Sequence, residues 1–346
     1  MKKIILVFLL IFCSTNVYAS TIVMDKDTLR VLYGINEQEE RLIASTTKIM
    51  TFMVVVNNTD NIKEKVKVTD SVLKSHGSNI YISIDEIITI EDLLYGLMLR
   101  SGNDAAIMLA EHIGGSIEGF TKLMNETAVN LGMFNTNFIN PSGLEDNLGN
   151  GNTSNCYDLA ILMSYALNNE TFRRITGTKE KVVKTNLKTY KWTNKNKLLF
   201  NYKYTISGKT GYTKKAKRTL VTAATKDNEF LIIVTLNQPN DFEIHQNLYE
   251  EYFNKYKKYK IIDKNKFLKD KNHYIKNDIY MLLTEEEYKN IKIDVIYTND
   301  ILNRVGYVTI SLDDKIYIKE DIFIKEIPKK SILDKIKQFL LNIFKN

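Results

Sequence analysis

The sequence predicts an α/β chain of the α+β type. It should hold an antiparallel five-stranded sheet flanked by helices, with a helical lobe inserted between its strands. A small β-rich domain and an amphipathic C-terminal helix should follow. Three observations carry this reading. Alternating apolar runs with turn signals stand at both ends of the first 260 or so residues, the pattern of sheet strands. Runs of helical period fill the space between them. Past residue 262 the composition shifts to Lys, Ile, Tyr and Asp in short alternating runs such as "KIYIKEDIFIKEI". Strand–strand, helices, then three strands is an order that closes one sheet from both ends of a domain.

Residues 1–19 read as a secretory signal peptide. "MKK" is a basic start, "IILVFLLIF" a short apolar stretch, and "VYA" ends in the small Ala19 that a signal peptidase requires. The apolar run is short for a membrane span. Residues 20–260 form the expected main domain. "STIVMDKDTLRVLYGIN" alternates around "DKD" as a hairpin. "ASTTKIMTFMVVV" is apolar nearly all round, as a buried helix is. Residues 80–90 are strand-like and turn-like by turns. "TIEDLLYGLMLRSGNDAAIMLAEHIGG" gives two helices. Thr89 with Asp92 suggests a capping box, Asn103 or Asp104 caps the second helix, and Gly114–Gly115 ends it. A helix over 117–131, the "NPSGL" turn, and a helix capped by Ser154 or Asn155 follow. From Lys181 the pattern turns to strands, with "YTISGKTGYT" and a pair of strands around "KDN", then a helix over 241–258.

Residues 261–328 read as the β-rich domain, a spacer or docking module. Residues 329–346 place Ile332, Leu333, Ile336, Phe339, Leu340, Ile343 and Phe344 on one side of a helix with lysines at its flanks. Such a helix suits the surface of an anionic membrane. The formal charge is +7. Lys2 and Lys3 supply two of those charges and the last eighteen residues a net four, so the body is nearly neutral. The chain therefore has no basic surface that argues for nucleic acid. Cys13 and Cys156 are the only cysteines. Removing the leader leaves Cys156 alone, with no internal disulfide. With four scattered histidines there is no metal-ligand cluster, and no cofactor is implied.

Three short motifs stand in order: "STTK" at 45–48, "SGN" at 101–103 and "KTG" at 209–211. Ser45 and Lys48 lie three apart, on one face of a helix. A serine hydroxyl is a poor nucleophile and needs a base. There is no GxSxG and no evident His–Asp pair, so Lys48 is the candidate base. To act so it must be neutral, which burial and a neighbouring Lys209 would favour. Gly211 allows a substrate to approach the strand edge closely.

These motifs match the set of the penicillin-recognising serine enzymes. The chain resembles the low-molecular-mass penicillin-binding proteins, the serine-type D-alanyl-D-alanine carboxypeptidases. "MDKDTLRVLYGIN", "LMNETAVNLGM", "NPSGL", "YDLA" and "KTGYTKKAKRTLVTAA" carry the resemblance beyond the motifs, strongly over 20–260 and loosely beyond. It implies a DD-peptidase/β-lactamase-like fold and an exported, membrane-surface enzyme. That enzyme would trim the terminal D-alanine of peptidoglycan stem peptides through an acyl-serine, and β-lactams would inhibit it covalently. Catalytic roles fall on Ser45, Lys48, Ser101, Asn103 and Lys209. In that scheme Ser101 bridges Lys48 and Lys209 to relay a proton, and Asn103 accepts from Lys48 and donates to substrate. Thr210, Gly211 and Tyr212 bind substrate: the Thr210 hydroxyl takes the terminal carboxylate, and the backbone N–H groups of Ser45 and Tyr212 form an oxyanion hole.

The chain departs from the family at Ile43, where many relatives carry proline, at Tyr212, where some carry histidine, and at Lys217, where relatives usually carry glycine. Three alternatives stay open at this level. A class A-like β-lactamase would need a deacylating acid, for which Glu145 is the one candidate. A catalytically dead scaffold and an esterase on the same fold are the others.

Overall fold

The computed structural model describes residues 19–268, 272–298 and 303–325. The leader and the C-terminal helix expected from sequence lie outside the described residues, Ala19 excepted. The chain divides into two compact units between Tyr252 and Phe253.

In chain order the first unit opens with β1 (Ser20–Asp25), β2 (Val31–Ile35) and the two-residue β3 (Arg41–Leu42). A 3₁₀ turn over Ala44–Thr47 feeds α1 (Lys48–Asn57). The short strands β4 (Lys65–Lys67) and β5 (Ile87–Thr89) pair with each other. Then come α2 (Ile90–Tyr95), a π-helical turn over Gly96–Arg100, α3 (Asn103–Gly114) and α4 (Ile117–Asn130). β6 (Thr153–Ser154) pairs with β3 and leads into α5 (Cys156–Ala166) and α6 (Glu170–Thr176). A hairpin of β7 (Glu180–Lys184) and β8 (Thr189–Thr193) and the single turn α7 (Leu198–Asn201) precede β9 (Thr205–Thr213), β10 (Lys217–Lys226), β11 (Glu229–Leu236) and α8 (Asp241–Lys255).

The main sheet is five-stranded and antiparallel, in the order β2–β1–β11–β10–β9. Strands from both ends of the unit meet at β1–β11, where Ile22 lies opposite Val234. Alternation along the strands splits the sheet into two faces. Ile22, Met24, Val221, Ala223, Ile232 and Val234 join the helical lobe in one buried cluster, which takes in all of α5's inward face. On the other face Thr222 and Thr235 receive α8. The fully buried His245 ring contacts Thr222 Oγ1 at 2.7 Å through Nδ1 and Thr235 Oγ1 at 2.9 Å through Nε2. Burial pushes the His245 imidazole down to about 3, so it is neutral there. Every residue of α1 from Lys48 to Val55 is buried, and Phe52 meets Phe172 edge-on at 5.1 Å. Cys156 is a free, buried thiol at the start of α5.

Several sequence expectations change at the level of single residues. Residues 80–84 form no strand. Tyr81 breaks the run with a φ of 59°, and the buried Asp104 carboxylate takes the N–H groups of Ile80, Tyr81 and Ile82 in place of a neighbouring strand. Neither Asn103 nor Asp104 is the cap residue of α3, which is Gly102; Asp104 Oδ1 does take the first-turn N–H of Ala105 at 2.9 Å, while Asn103 turns to Lys48 and His76. Thr89 does cap α2 through Asp92 N, and Asn155 caps α5 through Asp158 N.

The second unit, from Phe253, holds β12 (Lys257–Ile262), β13 (His273–Tyr274), β14 (Ile279–Leu283), α9 (Glu285–Lys289), β15 (Lys292–Tyr297), β16 (Arg304–Leu312) and β17 (Lys315–Ile324). They form a β12–β14 pair and a sheet in the order β13–β17–β16–β15 around a core that includes Ile262, Met281, Leu283, Val308, Ile310 and Ile322.

Candidate active site

The 3₁₀ turn that carries Ser45 is held from three sides. The Ile43 carbonyl accepts from Thr46 Oγ1 at 2.6 Å and from Thr219 Oγ1 of β10 at 3.1 Å. Its N–H donates to the Asn152 carbonyl at 3.2 Å, a bond that proline at 43 would lack. Ala44 has a φ of 46°, the left-handed region that costs a side chain energy. Gly143 fits against it because a Cβ there would lie 1.9 Å from the Ala44 carbonyl oxygen.

One turn on, Lys48 is wholly buried. Its Nζ has three partners: Ser45 Oγ at 3.0 Å, Asn103 Oδ1 at 2.7 Å and the Ser142 carbonyl at 2.7 Å. Asn103's orientation follows from its neighbours. Its Nδ2 faces the His76 carbonyl at 2.6 Å, which can only accept, so Oδ1 faces Lys48. A neutral amine has two hydrogens and one lone pair. Two of its three partners here are pure acceptors and take the hydrogens. The lone pair is left facing the one partner that owns a hydrogen, the Ser45 hydroxyl.

That argument requires Lys48 to be neutral, and its surroundings favour this. Burial holds the Lys48 ammonium well below its ordinary range, the positive charges of Lys209 and Lys195 add to the effect, and Asp104 opposes it. Lys209 is also buried, and burial, with Lys195 nearby, brings it down to about 7. Lys209 Nζ donates to Ser101 Oγ at 3.1 Å and to the Thr210 carbonyl at 2.6 Å. Ser101, with φ 64°, ends the π-helical turn in the left-handed region, which turns the chain into α3.

The structure therefore brings Ser45, Lys48, Asn103, Ser101 and Lys209 together, with Thr210, Gly211 and Tyr212 along the edge strand β9. One detail differs from the expectation: the Ser101 hydroxyl bonds Lys209, while Lys48 is taken up by Ser45, Asn103 and Ser142. Asn103 accepts from Lys48 and gives one of its two amide hydrogens to the His76 carbonyl. At Gly211 a Cβ would stand 2.3 Å from Thr219 Oγ1 and 2.9 Å from Ser45 N, so only glycine lets the strand lie this close to the nucleophile. A cleft of about 330 Å³ opens here, lined by Ser45, Ser101, Lys195, Thr210, Tyr212 and Arg218 among others.

Sequence reasoning missed four contributors. The Ser142 carbonyl belongs to "NPSGL", whose Asn140 Oδ1 gathers the N–H groups of Ser142 and Gly143 and so fixes that carbonyl. Asn152 bonds Thr47 Oγ1 and the Asn140 carbonyl, tying turn to helix. Asp104 pins the loop that holds the His76 carbonyl. Lys195, bonded to Ser78 Oγ at 3.2 Å, adds its positive charge to that of Lys209, and nothing in the sequence around it signals that. Glu145, the acid considered for deacylation, is bonded by the Thr213 hydroxyl at the end of β9.

A family model described as D-alanyl-D-alanine carboxypeptidase matches residues 15–240. The chain belongs to the D-alanyl-D-alanine carboxypeptidase family. It is 38% identical over 222 residues to the D-alanyl-D-alanine carboxypeptidase DacF of Bacillus subtilis, a match that covers 62% of this chain and 56% of that relative. The chain thus matches little more than half of that relative's length. A Streptomyces D-alanyl-D-alanine carboxypeptidase is 37% identical over 227 residues, with 60% and 77% covered. Among solved structures, penicillin binding protein 5 from Haemophilus influenzae superimposes with a TM-score of 0.73 at 25% identity, over 88% of this chain and 95% of that one.

Proposed function

We propose that this protein is an exported serine D-alanyl-D-alanine carboxypeptidase that removes the terminal D-alanine of peptidoglycan stem peptides and is acylated by β-lactams. One observation carries the reading: the Ser45 hydroxyl lies 3.0 Å from a buried lysine amine whose two other partners can only accept.

Ser45 Oγ attacks the carbonyl carbon of the D-Ala–D-Ala bond as its proton passes to Lys48 Nζ. The oxyanion takes the N–H groups of Ser45 and Tyr212. The C–N bond breaks, and the proton reaches the leaving amine of D-alanine by way of Ser101. Water, deprotonated by the same lysine, then hydrolyses the ester and restores Ser45. Thr210 and the positive potential of Lys209 and Lys195 hold the terminal carboxylate. No metal or cofactor has a part in this scheme. Export by the leader and docking of the basic tail on the outer face of the cytoplasmic membrane complete the reading. Among the described residues no helix is long and apolar enough to cross a membrane.

The test is intact-protein mass after brief exposure to a penicillin, with Ser45→Ala and Lys48→Ala alongside. An adduct of the drug's mass on the wild type, absent from Ser45→Ala, together with release of D-alanine from a D-Ala-D-Ala peptide, supports the proposal. No adduct with intact drug would overturn it. No adduct with rapid drug destruction would assign the site to a β-lactamase.

A further inference from the structure

We infer that the second unit carries a self-complementary sheet edge, β15, through which two copies of this chain pair as an antiparallel dimer. Among the described residues β15 is paired on one side only, with β16. All six of its residues are exposed, including Ile293 at 39%, Val295 at 38%, Ile296 at 40% and Tyr297 at 58%. A six-residue edge with apolar side chains, no proline and no bulge in its pairing is the kind of edge that folds normally guard. The usual guard is a lone inward or edge charge. Here the lysine comes with an aspartate two residues on, and that spacing removes the protection in one particular register.

The run is Ile291-Lys292-Ile293-Asp294-Val295. A two-fold axis through Ile293 sets Lys292 of each copy opposite Asp294 of the other, on one face. On the other face Ile293 meets Ile293, and Ile291 meets Val295. Over residues 291–295 every cross-strand pair is then apolar with apolar or positive with negative, while Ile296 and Tyr297 face Asn290 and Lys289 of the other copy, outside β15. A shift by one residue loses this: with the axis between Ile293 and Asp294, each aspartate would lie opposite an isoleucine. Charge complementarity thus selects both the partner, a second copy, and the register. Lys292 now pairs with Asp314 at 2.8 Å, but both side chains are well exposed and such a pair holds little. The contact is a small one, so the dimer should be weak and concentration-dependent.

Sedimentation velocity of the full-length protein tests this between about 10 μM and about 1 mM, where a small interface populates a dimer. The wild type should pass from one chain to two. Asp294→Lys, which leaves the Lys292–Asp314 pair intact and sets lysine against lysine, should weaken association about tenfold or more. Lys292→Asp should do the same. An equal mixture of these two variants should associate again, since each supplies the charge the other lacks. Circular dichroism melts verify that each variant is folded, and Asp294→Lys carries the test alone if Lys292→Asp is not. A wild type that stays monomeric, an Asp294→Lys variant that associates as the wild type does, or a mixture of folded variants that fails to recover would each overturn the inference. So would slow hydrogen exchange, in the monomer, of those β15 amides that do not bond β16, which would mean that another segment of the chain covers this edge.

Discussion

Lys209→Met should make the catalytic unit more stable and less active at once. A lysine brought from 10.5 to about 7 by burial costs the fold roughly 5 kcal/mol while it is charged. Methionine fills a similar volume without that cost. It forfeits the bonds to Ser101 Oγ and the Thr210 carbonyl, worth about 2 kcal/mol together. The net gain is about 3 kcal/mol at or below pH 7. The folded pKa is the depressed one, so between about 7 and 10.5 the unfolded chain holds a proton that the folded chain lacks. Wild-type stability therefore recovers by about 1.4 kcal/mol per pH unit, and the variant's advantage should vanish near pH 9. Urea unfolding at about pH 6.5, 8 and 9.5 measures this. The fluorescence of Trp192, the only tryptophan and buried in the catalytic unit, reports the transition. The positive charge of Lys209 also helps keep Lys48 neutral, so the pH profile of penicillin acylation should move to higher pH in the variant. A stability difference independent of pH, or an unmoved profile, would refute the electrostatic account of the site.

Four further outcomes follow from single positions. Gly211→Ala should cut acylation by about a hundredfold while the unit stays folded, because the new Cβ displaces β9 from Ser45 N; stopped-flow acylation checks it. Asp104→Ala strands the buried N–H groups of Ile80 and Ile82 and frees that of Tyr81, and should cost about 2–4 kcal/mol in a chemical melt, with new proteolytic cutting within residues 76–86. Lys217→Gly relieves a φ of 59° in the β9–β10 turn and should raise stability by about 1 kcal/mol with acylation unchanged. Wild-type stability should fall as pH drops from about 6.5 towards 3 in part through His245, since only the unfolded chain protonates it; His245→Gln should flatten that limb of the pH–stability curve.

The motifs were legible because they are local and ordered along the chain. Ser45 and Lys48 are joined by helix geometry alone, and Gly211 by the need for a close strand. The sheet was legible from alternation and strand order. What stayed hidden is what arrives from distant sequence through the backbone. The Ser142 and His76 carbonyls carry no side-chain signature, so residue identity does not reveal that they take up Lys48 and Asn103. Asn103 and Asp104 resembled helix caps because cap residues are short and polar, but tertiary partners take Asn103 altogether, and Asp104 divides its carboxylate between Ala105 N and the 80–82 segment. Residues 80–84 alternated like a strand, yet a carboxylate rather than a neighbouring strand satisfies them. Lys195 reads as a solvated surface lysine until the fold sets it beside Lys48 and Lys209. The departure at Ile43 gained a meaning only in three dimensions, as a donor to Asn152.

Cys156 lies sealed beneath the sheet, and burial pushes its thiol far above the range in which it ionises. If the leader is removed, the remaining chain offers no thiolate to oxidants, to stray disulfide partners or to maleimides. Any surface cysteine introduced by mutation would then be the sole reactive one. Fluorophores or spin labels could be placed on the 76–82 loop or on β15 without first re-engineering the native protein, and both the opening of the cleft and the approach of a second copy could be followed by distance.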